Sequence, residues 1–579
     1  MVTLMGIHQV LKQFWGYDEF RPRQEEIIRS VLDGKDTLAL LPTGGGKSIC
    51  FQVPALSRPG ICLVVSPLIA LMKDQVENLR KRGIKAIAII SGMGKREIDI
   101  LLDNCIYGDV KFLYISPERL LSDLVRERIR HMNVSLIAVD EAHCISQWGY
   151  DFRPPYLQLP QLREIHPSVP VLALTASATS QVAEDIQDKL GFRERNVFRS
   201  SFGRRNLRYV VFNEADKPAK LLSIARNVNG SGIVYVRNRR ATQEAAYLLN
   251  RHGISSDFYH AGLDLATRNK RQEDWRTGRT RVMVATNAFG MGIDKPDVRF
   301  VVHLDLPDSL ESYYQEAGRA GRDEAKSFAV LLYQDQDVQQ LQKKLEDSYP
   351  AIGEIKAVYH YLGNYYQLAY GAGESLVFPF DAGDFCRRYR LEALKTLQAL
   401  KFLEIDGYIA ISDPVYLPAR VQVLMSPEDL YRFQIEHREY DPLIKTMMRM
   451  YGGLYDHYIP VKEKELARRL QTGRERVTAI LERLHQLQVI SFLPQTDKPQ
   501  LQFLRGRADS QHVVLNRKFI AERQKIHSDQ VASVIRYAAT RECRNQLLLT
   551  YFDEADPREC GVCDVCLERK RSADQPAPE

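Results

Sequence analysis

Residues 37–56 read TLALLPTGGGKSICFQVPAL, and the order of parts in this stretch decides the fold class. A short β-rich apolar run leads into a glycine-rich turn, and a second apolar segment follows at once. Glycines there let backbone N–H groups turn inward around phosphates. Thr43, Gly44, Gly45 and Gly46 form the cradle, Lys47 supplies charge for the β and γ phosphates, and Ser48 can ligate Mg²⁺. Position 41 is leucine, so the strict G-x-x-x-x-G-K-S pattern is not met. Taken alone, the stretch also reads as a purely structural glycine turn.

Working outward, LIAVDEAH (136–143) ends an apolar run in Asp140 and Glu141. Two carboxylates at the C-terminal end of a buried strand sit where α/β sheets bind ligands. Asp140 can hold Mg²⁺ and Glu141 can orient and deprotonate an attacking water. CLVVS, FLYIS, VLALT, GIVYV, VMVAT and FVVHLDL are similar runs without polar alternation. Such strands are buried on both faces, the mark of parallel sheets covered by helices. The fold class is α/β, and a break near SSFGRRNLRYVV (200–211) divides it into lobes at 1–203 and 204–345.

The second lobe contains YYQEAGRAGRDE (313–324). Arg319 and Arg322 are three apart on an expected helix, so both are expected to face one way. An arginine at a transferring phosphoryl group is worth about 10³ to 10⁵ in rate, because it neutralises charge that develops in the transition state. Its place in the other lobe ties hydrolysis to lobe closure.

After residue 345 helices dominate. DFCRRYRLEALKTLQALKFLEIDGYIAIS (384–412) sets leucines at helical spacing before a strand. In VKEKELARRLQTGRERVTAILERLHQLQVISFLPQTDKPQLQFL (461–504), Thr472 and Glu475 suggest a capping box that restarts a helix, with two strands after it. Helix, turn, helix and β-ribbon outline a winged helix, expected twice, at 346–425 and 426–520; small helical packing domains are the alternative. Cys543, Cys560, Cys563 and Cys566 form C-x₁₆-C-x₂-C-x₂-C, a spacing at which four thiolates close a tetrahedral, structural Zn²⁺ site. The zinc-binding module is expected at 521–568 and a disordered tail at 569–579.

Composition sets the outer limits. The 579 residues carry 80 Lys plus Arg against 73 Asp plus Glu, a net +7 that permits nucleic-acid binding without arguing for it. No apolar run is long enough to span a bilayer, and the start of the chain lacks a signal-peptide pattern, so a cytoplasmic protein is expected.

PTGGGKS, DEAHCISQWG, LTASAT, TNAFGMGIDKP and QEAGRAGRD, in this order, resemble the RecQ family of superfamily 2 DNA helicases. The resemblance covers about the first 340 residues and returns near residue 540. It implies two RecA-like motor lobes, an ATP-dependent 3′ to 5′ unwinding activity in recombination, repair and replication restart, and single-stranded and duplex DNA, forks and junctions among them, as partners. It further implies a protein that is nucleoid-associated when on DNA. FWGYDEFRPRQEEII (14–28) is similar to the family's adenine motif, with Tyr17 stacking on the base and Arg21 and Gln24 bonding its edge. Gly292 and Asp294 would sit near the ribose and the lobe interface.

CISQWGYDFRPPY (144–156) occupies the place of the family's aromatic-rich loop, which senses single-stranded DNA. Trp148, Phe152 and Arg153 are its expected DNA-facing set, and a buried structural plug is the competing reading. The chain departs from the family in having Tyr150 where histidine is usual and Arg237 at a small-residue position. It also places both winged-helix candidates between motor and zinc module. An RNA helicase on the same motor, or a nucleic-acid scaffold that has lost hydrolysis, would share most of these features.

Overall fold

The computed structural model describes residues 6–42, 44–89, 93, 95–149, 152–290, 295–411, 419–455, 458–495 and 499–573. Thr43, Tyr150, Gly292, Asp294 and tail residues 574–579 lie outside the described residues.

The first lobe is a seven-stranded sheet of β1 (Thr37–Leu40), β2 (Ile61–Val65), β3 (Ala86–Ile89), β4 (Phe112–Ile115), β5 (Val134–Val139), β6 (Val171–Thr175) and β7 (Val197–Arg199). Its order is β3-β4-β2-β5-β6-β1-β7, with every pairing parallel. Alternate residues supply two separate cores, as the strand period of two requires. Leu38, Leu40, Leu63 and Val65 pack on one face, and Ala39, Cys62 and Val64 on the other. Because all strands run the same way, the phosphate loop after β1, Asp140 after β5 and Thr175 at the end of β6 emerge along one edge.

The second lobe repeats this plan with β8 (Leu207–Asn213), β9 (Ser231–Tyr235), β10 (Ser256–Tyr259), β11 (Val282–Ala285), β12 (Val298–His303) and β13 (Ser327–Tyr333). They are ordered β10-β11-β9-β12-β13-β8, again all parallel.

The cysteine-bearing C-terminal module folds back onto this lobe. Val531, Val534, Tyr537 and Leu548 share one core with Leu207, Tyr209 and Tyr313. Strand β8 is a sheet edge, and Asp564 accepts the Val211 N–H of that edge at 3.0 Å. An otherwise open strand edge is thereby covered. The chain divides into one compact unit of residues 1–349 with 516–579 and a second of residues 350–515.

Within the second unit the strands correct two expectations. QLQFL (500–504) was expected to complete the β-ribbon of the second winged helix. Instead β19 (Gln500–Phe503) pairs antiparallel with β14 (Val377–Pro379) and β15 (Ile409–Ile411) of the first. Leu501 and Phe503 are buried there. The second module uses β16 (Arg420–Val423), β17 (Ile459–Pro460) and β18 (Ile490–Leu493). It is thus inserted between β15 and β19 of the first, and the boundary expected at 425/426 does not separate them. Strand alternation reports burial but not partner, which is why the misassignment arose. The helix Arg474–Gln486 is capped by Gly473 without a side-chain bond, so Thr472 and Glu475 form no capping box. Arg474, at the start of that helix, pairs at 2.8 Å with the buried Glu463.

Candidate active site and metal centre

The phosphate loop is held open by its own geometry. Gly44 and Gly46 have φ of 80° and 72°, a region that favours glycine. A Cβ on Gly46 would lie 2.4 Å from Gln24 Nε2. That amide donates to the carbonyls of Gly45 at 3.2 Å and Gly46 at 3.0 Å, while its Oε1 accepts from Arg21 N–H at 2.9 Å. Arg21 Nη1 donates to the Gly44 carbonyl. The pair expected to read a base edge therefore braces the loop in this structure. Tyr17 is 58% exposed, with its ring free to take a flat partner.

Lys47 Nζ lies 3.5 Å from Glu141 Oε1, joining the two halves of the expected site. Ser48 Oγ accepts from Gln75 Nε2 at 3.3 Å, and Gln75 in turn accepts from Tyr114 OH at 2.8 Å. Burial first, then the charge of Glu141, push the Asp140 carboxyl up to about 6, against the pull of Lys47. The buried Asp140 and the half-buried Glu141 crowd together and offer hard oxygen donors, a chemistry that would fit Mg²⁺.

From Glu141 a relay of side chains crosses to the second lobe. Glu141 Oε2 lies 3.4 Å from His143 Nδ1, which lies 2.9 Å from Thr175 Oγ1. Thr175 Oγ1 accepts Ser177 N–H at 3.4 Å, and Ser177 Oγ accepts from Gln315 Nε2 at 3.0 Å. Gln315 is not among the residues singled out from the sequence. The signal was available as a glutamine one helical turn before the arginine pair.

That pair is placed differently from expectation. The helix Leu310–Ala317 stops before both arginines, and Gly321 has φ 63°, so Arg319 and Arg322 sit on a turn and diverge. Arg319 is buried and donates to the Gly290 carbonyl within its own lobe. Arg322 crosses to the phosphate loop, where a Cβ on Gly44 would meet its Cγ at 3.2 Å.

The aromatic loop is part plug and part surface. Tyr156 is fully buried and its hydroxyl donates to the Asp140 carbonyl at 2.9 Å. Phe152, expected to face DNA, is instead buried, its ring 6.1 Å from that of Phe519 on the long helix Arg517–Ala539. Arg523 of the same helix donates to the carbonyls of Gln147 and Gly149, the latter at 3.1 Å. Arg153 donates to the Pro67 carbonyl at 3.3 Å, and Trp148 remains 37% exposed.

The four cysteines converge so that their Sγ atoms all lie within 4.8 Å of one another. Cys543 is 3.5 Å from Cys560 and 3.9 Å from Cys563, sulfur to sulfur. Tetrahedral Zn–S bonds near 2.3 Å place sulfurs about 3.8 Å apart, so the donor set fits Zn²⁺. Cys50, Cys62, Cys105, Cys144 and Cys386 are buried free thiols.

Residues 21–186 match the family described as DEAD/DEAH box helicase, and 216–324 the helicase conserved C-terminal domain. Residues 421–494 match the RecQ helicase winged-helix domain of Bacteroidota, and 508–567 the RecQ zinc-binding family. The chain is 45% identical over 338 residues to ATP-dependent DNA helicase RecQ of Haemophilus influenzae, covering 58% of this chain and 54% of that one. It is 43% identical over 331 residues to the probable ATP-dependent DNA helicase RecS of Bacillus subtilis, covering 56% and 66%. The chain spans about half the length of the first of these relatives. Among solved structures, the DUF1998 helicase MrfA bound to DNA aligns with a TM-score of 0.50 at 20% identity, over 59% of this chain and 53% of that one, a likeness of fold. Among the described residues, no helix is long and apolar enough to cross a membrane.

Proposed function

Because this chain is of the RecQ family, matched in both motor lobes, its inserted winged helix and its zinc module, we propose that it is an ATP- and Mg²⁺-dependent helicase moving 3′ to 5′ on DNA. The observation that carries the reading is Arg322 of one lobe seated on Gly44 of the other, beside the Lys47–Glu141 pair. In that arrangement Lys47 neutralises the β and γ phosphates and Glu141 takes a proton from the attacking water. Arg322 meets charge as it develops on the transferring group. Ser48 and Asp140 are the residues that would hold Mg²⁺, which would supply positive charge to the phosphates. Lys47, Glu141 and Arg322 are the catalytic residues in this reading, and Arg319 supports the loop at Gly290. Tyr17 takes the adenine face.

Trp148, exposed among the described residues of the aromatic loop, is its stacking residue in this reading, and Arg153 lies further along the same loop. Base stacking on an aromatic ring is worth about 1 to 3 kcal/mol, and a DNA base-pair step costs about 1.4 kcal/mol. One contact therefore holds about one freed step, and ATP turnover resets it. The family's place in recombination, repair and replication restart, in the cytoplasm and on the nucleoid when DNA is engaged, follows from the same reading. Strand displacement on tailed DNA and RNA duplexes tests it. Unwinding of 3′-tailed DNA alone is the expected result, while unwinding of RNA, or of 5′-tailed DNA alone, overturns it.

A further inference from the structure

The seven residues Ser200–Asn206 are the sole covalent path from β7 of the first lobe to β8 of the second. Their second half holds the arginine turn. Arg204 donates to the carbonyls of Gly318, Ala320 and Gly321, the last at 2.7 Å, and Asn206 Nδ2 donates to the Gly321 carbonyl at 2.7 Å. Those carbonyls flank Arg319 and Arg322. The linker's first half is held by a different part of the chain, more than 340 residues further on.

Three consecutive residues of the zinc module, Phe552, Asp553 and Glu554, make that grip. Glu554 is forked across the linker, accepting Ser201 Oγ–H at 2.5 Å and Phe202 N–H at 3.1 Å. The Phe552 ring stacks on Phe202 at 4.8 Å, and Tyr314 donates to the Phe202 carbonyl at 2.8 Å from the helix that leads into the arginine turn. Asp553 accepts the Ser180 N–H of the first lobe at 2.7 Å. Its φ of 58° is the left-handed conformation common just past a helix C-terminus, here that of Arg544–Tyr551.

We propose that Glu554 and Asp553 are positioning residues for ATP hydrolysis: the zinc module sets the angle of the interlobe linker and so aims Arg322 at the phosphate loop. Glu554 never touches nucleotide and acts through the linker and the turn. The inference rests on the proposed ATPase, and its test separates the two.

Steady-state ATPase of the full chain with single-stranded DNA is measured for wild type, Glu554→Ala, Arg322→Ala and the double variant, with zinc content and unfolding midpoint alongside. A misplaced transition-state group costs rate, so Glu554→Ala is expected to lower kcat about tenfold at unchanged KM for ATP. In the Arg322→Ala background, read at single turnover with excess protein, the same change is expected to do nothing. Glu554→Gln, which keeps one acceptor, restores part of the rate. An equal loss in both backgrounds overturns the proposal, as does an unchanged kcat. If Glu554→Ala loses zinc or its unfolding midpoint, Ser201→Ala removes the same bond from the linker side. A kcat there equal to wild type then overturns the proposal. A wild-type protein that hydrolyses no ATP overturns the parent reading instead.

Discussion

Two loops leave the same edge of the first sheet, the phosphate loop after β1 and the aromatic loop after β5, and they were legible to very different degrees. The phosphate loop takes its turns from Gly44 and Gly46 at positive φ and is braced by Arg21 and Gln24, a short way upstream in the chain. The aromatic loop is shaped by Phe519 and Arg523, far along the chain, which bury Phe152 and hold the Gln147 and Gly149 carbonyls. A loop formed by local backbone preference can be read from its own letters. One formed by packing against a remote helix cannot.

The contrast is sharpest where the phosphate loop meets its partners. Glu141→Gln is expected to lower kcat by about 10³-fold or more at little cost to nucleotide binding, because it removes the group that takes the water's proton. Phosphate release and nucleotide affinity, measured together, check this. Loss of binding with retained turnover would place Glu141 outside the chemistry.

On the aromatic side, Phe152→Ala is expected to destabilise the protein by about 3 to 5 kcal/mol, as truncation of a buried ring does. Thermal or denaturant unfolding measures it. A change near zero would return Phe152 to the surface and erase the difference between the two loops.

Cys563→Ser should abolish zinc binding and cost about 2 to 3 kcal/mol or more in stability, because its module shares a core with the second lobe. Metal content and the unfolding midpoint report this. A variant that keeps both would mean that the four thiolates are not a closed site.

Trp148→Ala has the smallest expected effect on stability, within about 0.5 kcal/mol. It is nevertheless expected to remove the stimulation of ATPase by single-stranded DNA while basal turnover stays. An equal fall in basal turnover would make the whole loop a plug.

Legibility followed the same line elsewhere. The buried strands of both lobes, the cysteine cluster and each half of the Lys47–Glu141 pair are visible as short-range pattern. The arginine pair did not, because a helix stop at Ala317 and the turn at Gly321 redirect Arg319 into its own lobe. The buried Gln24 and the exposed Arg21 both donate to loop carbonyls in this structure, a partnership that spans two segments of the chain. QLQFL was recognised as a strand and given to the wrong sheet.

Local pattern in the chain is enough to specify two parallel-sheet lobes, a phosphate loop, a strand ending in two carboxylates, and a four-cysteine metal site. Each of these follows from the chemistry of neighbouring residues, which the order of letters preserves. Packing sends Arg322 to the phosphate loop, buries Phe152 while Trp148 stays exposed, sets one winged helix inside the other, and fixes the linker between lobes. Those outcomes depend on contacts between segments far apart in the chain, and among many compatible partners packing selects one.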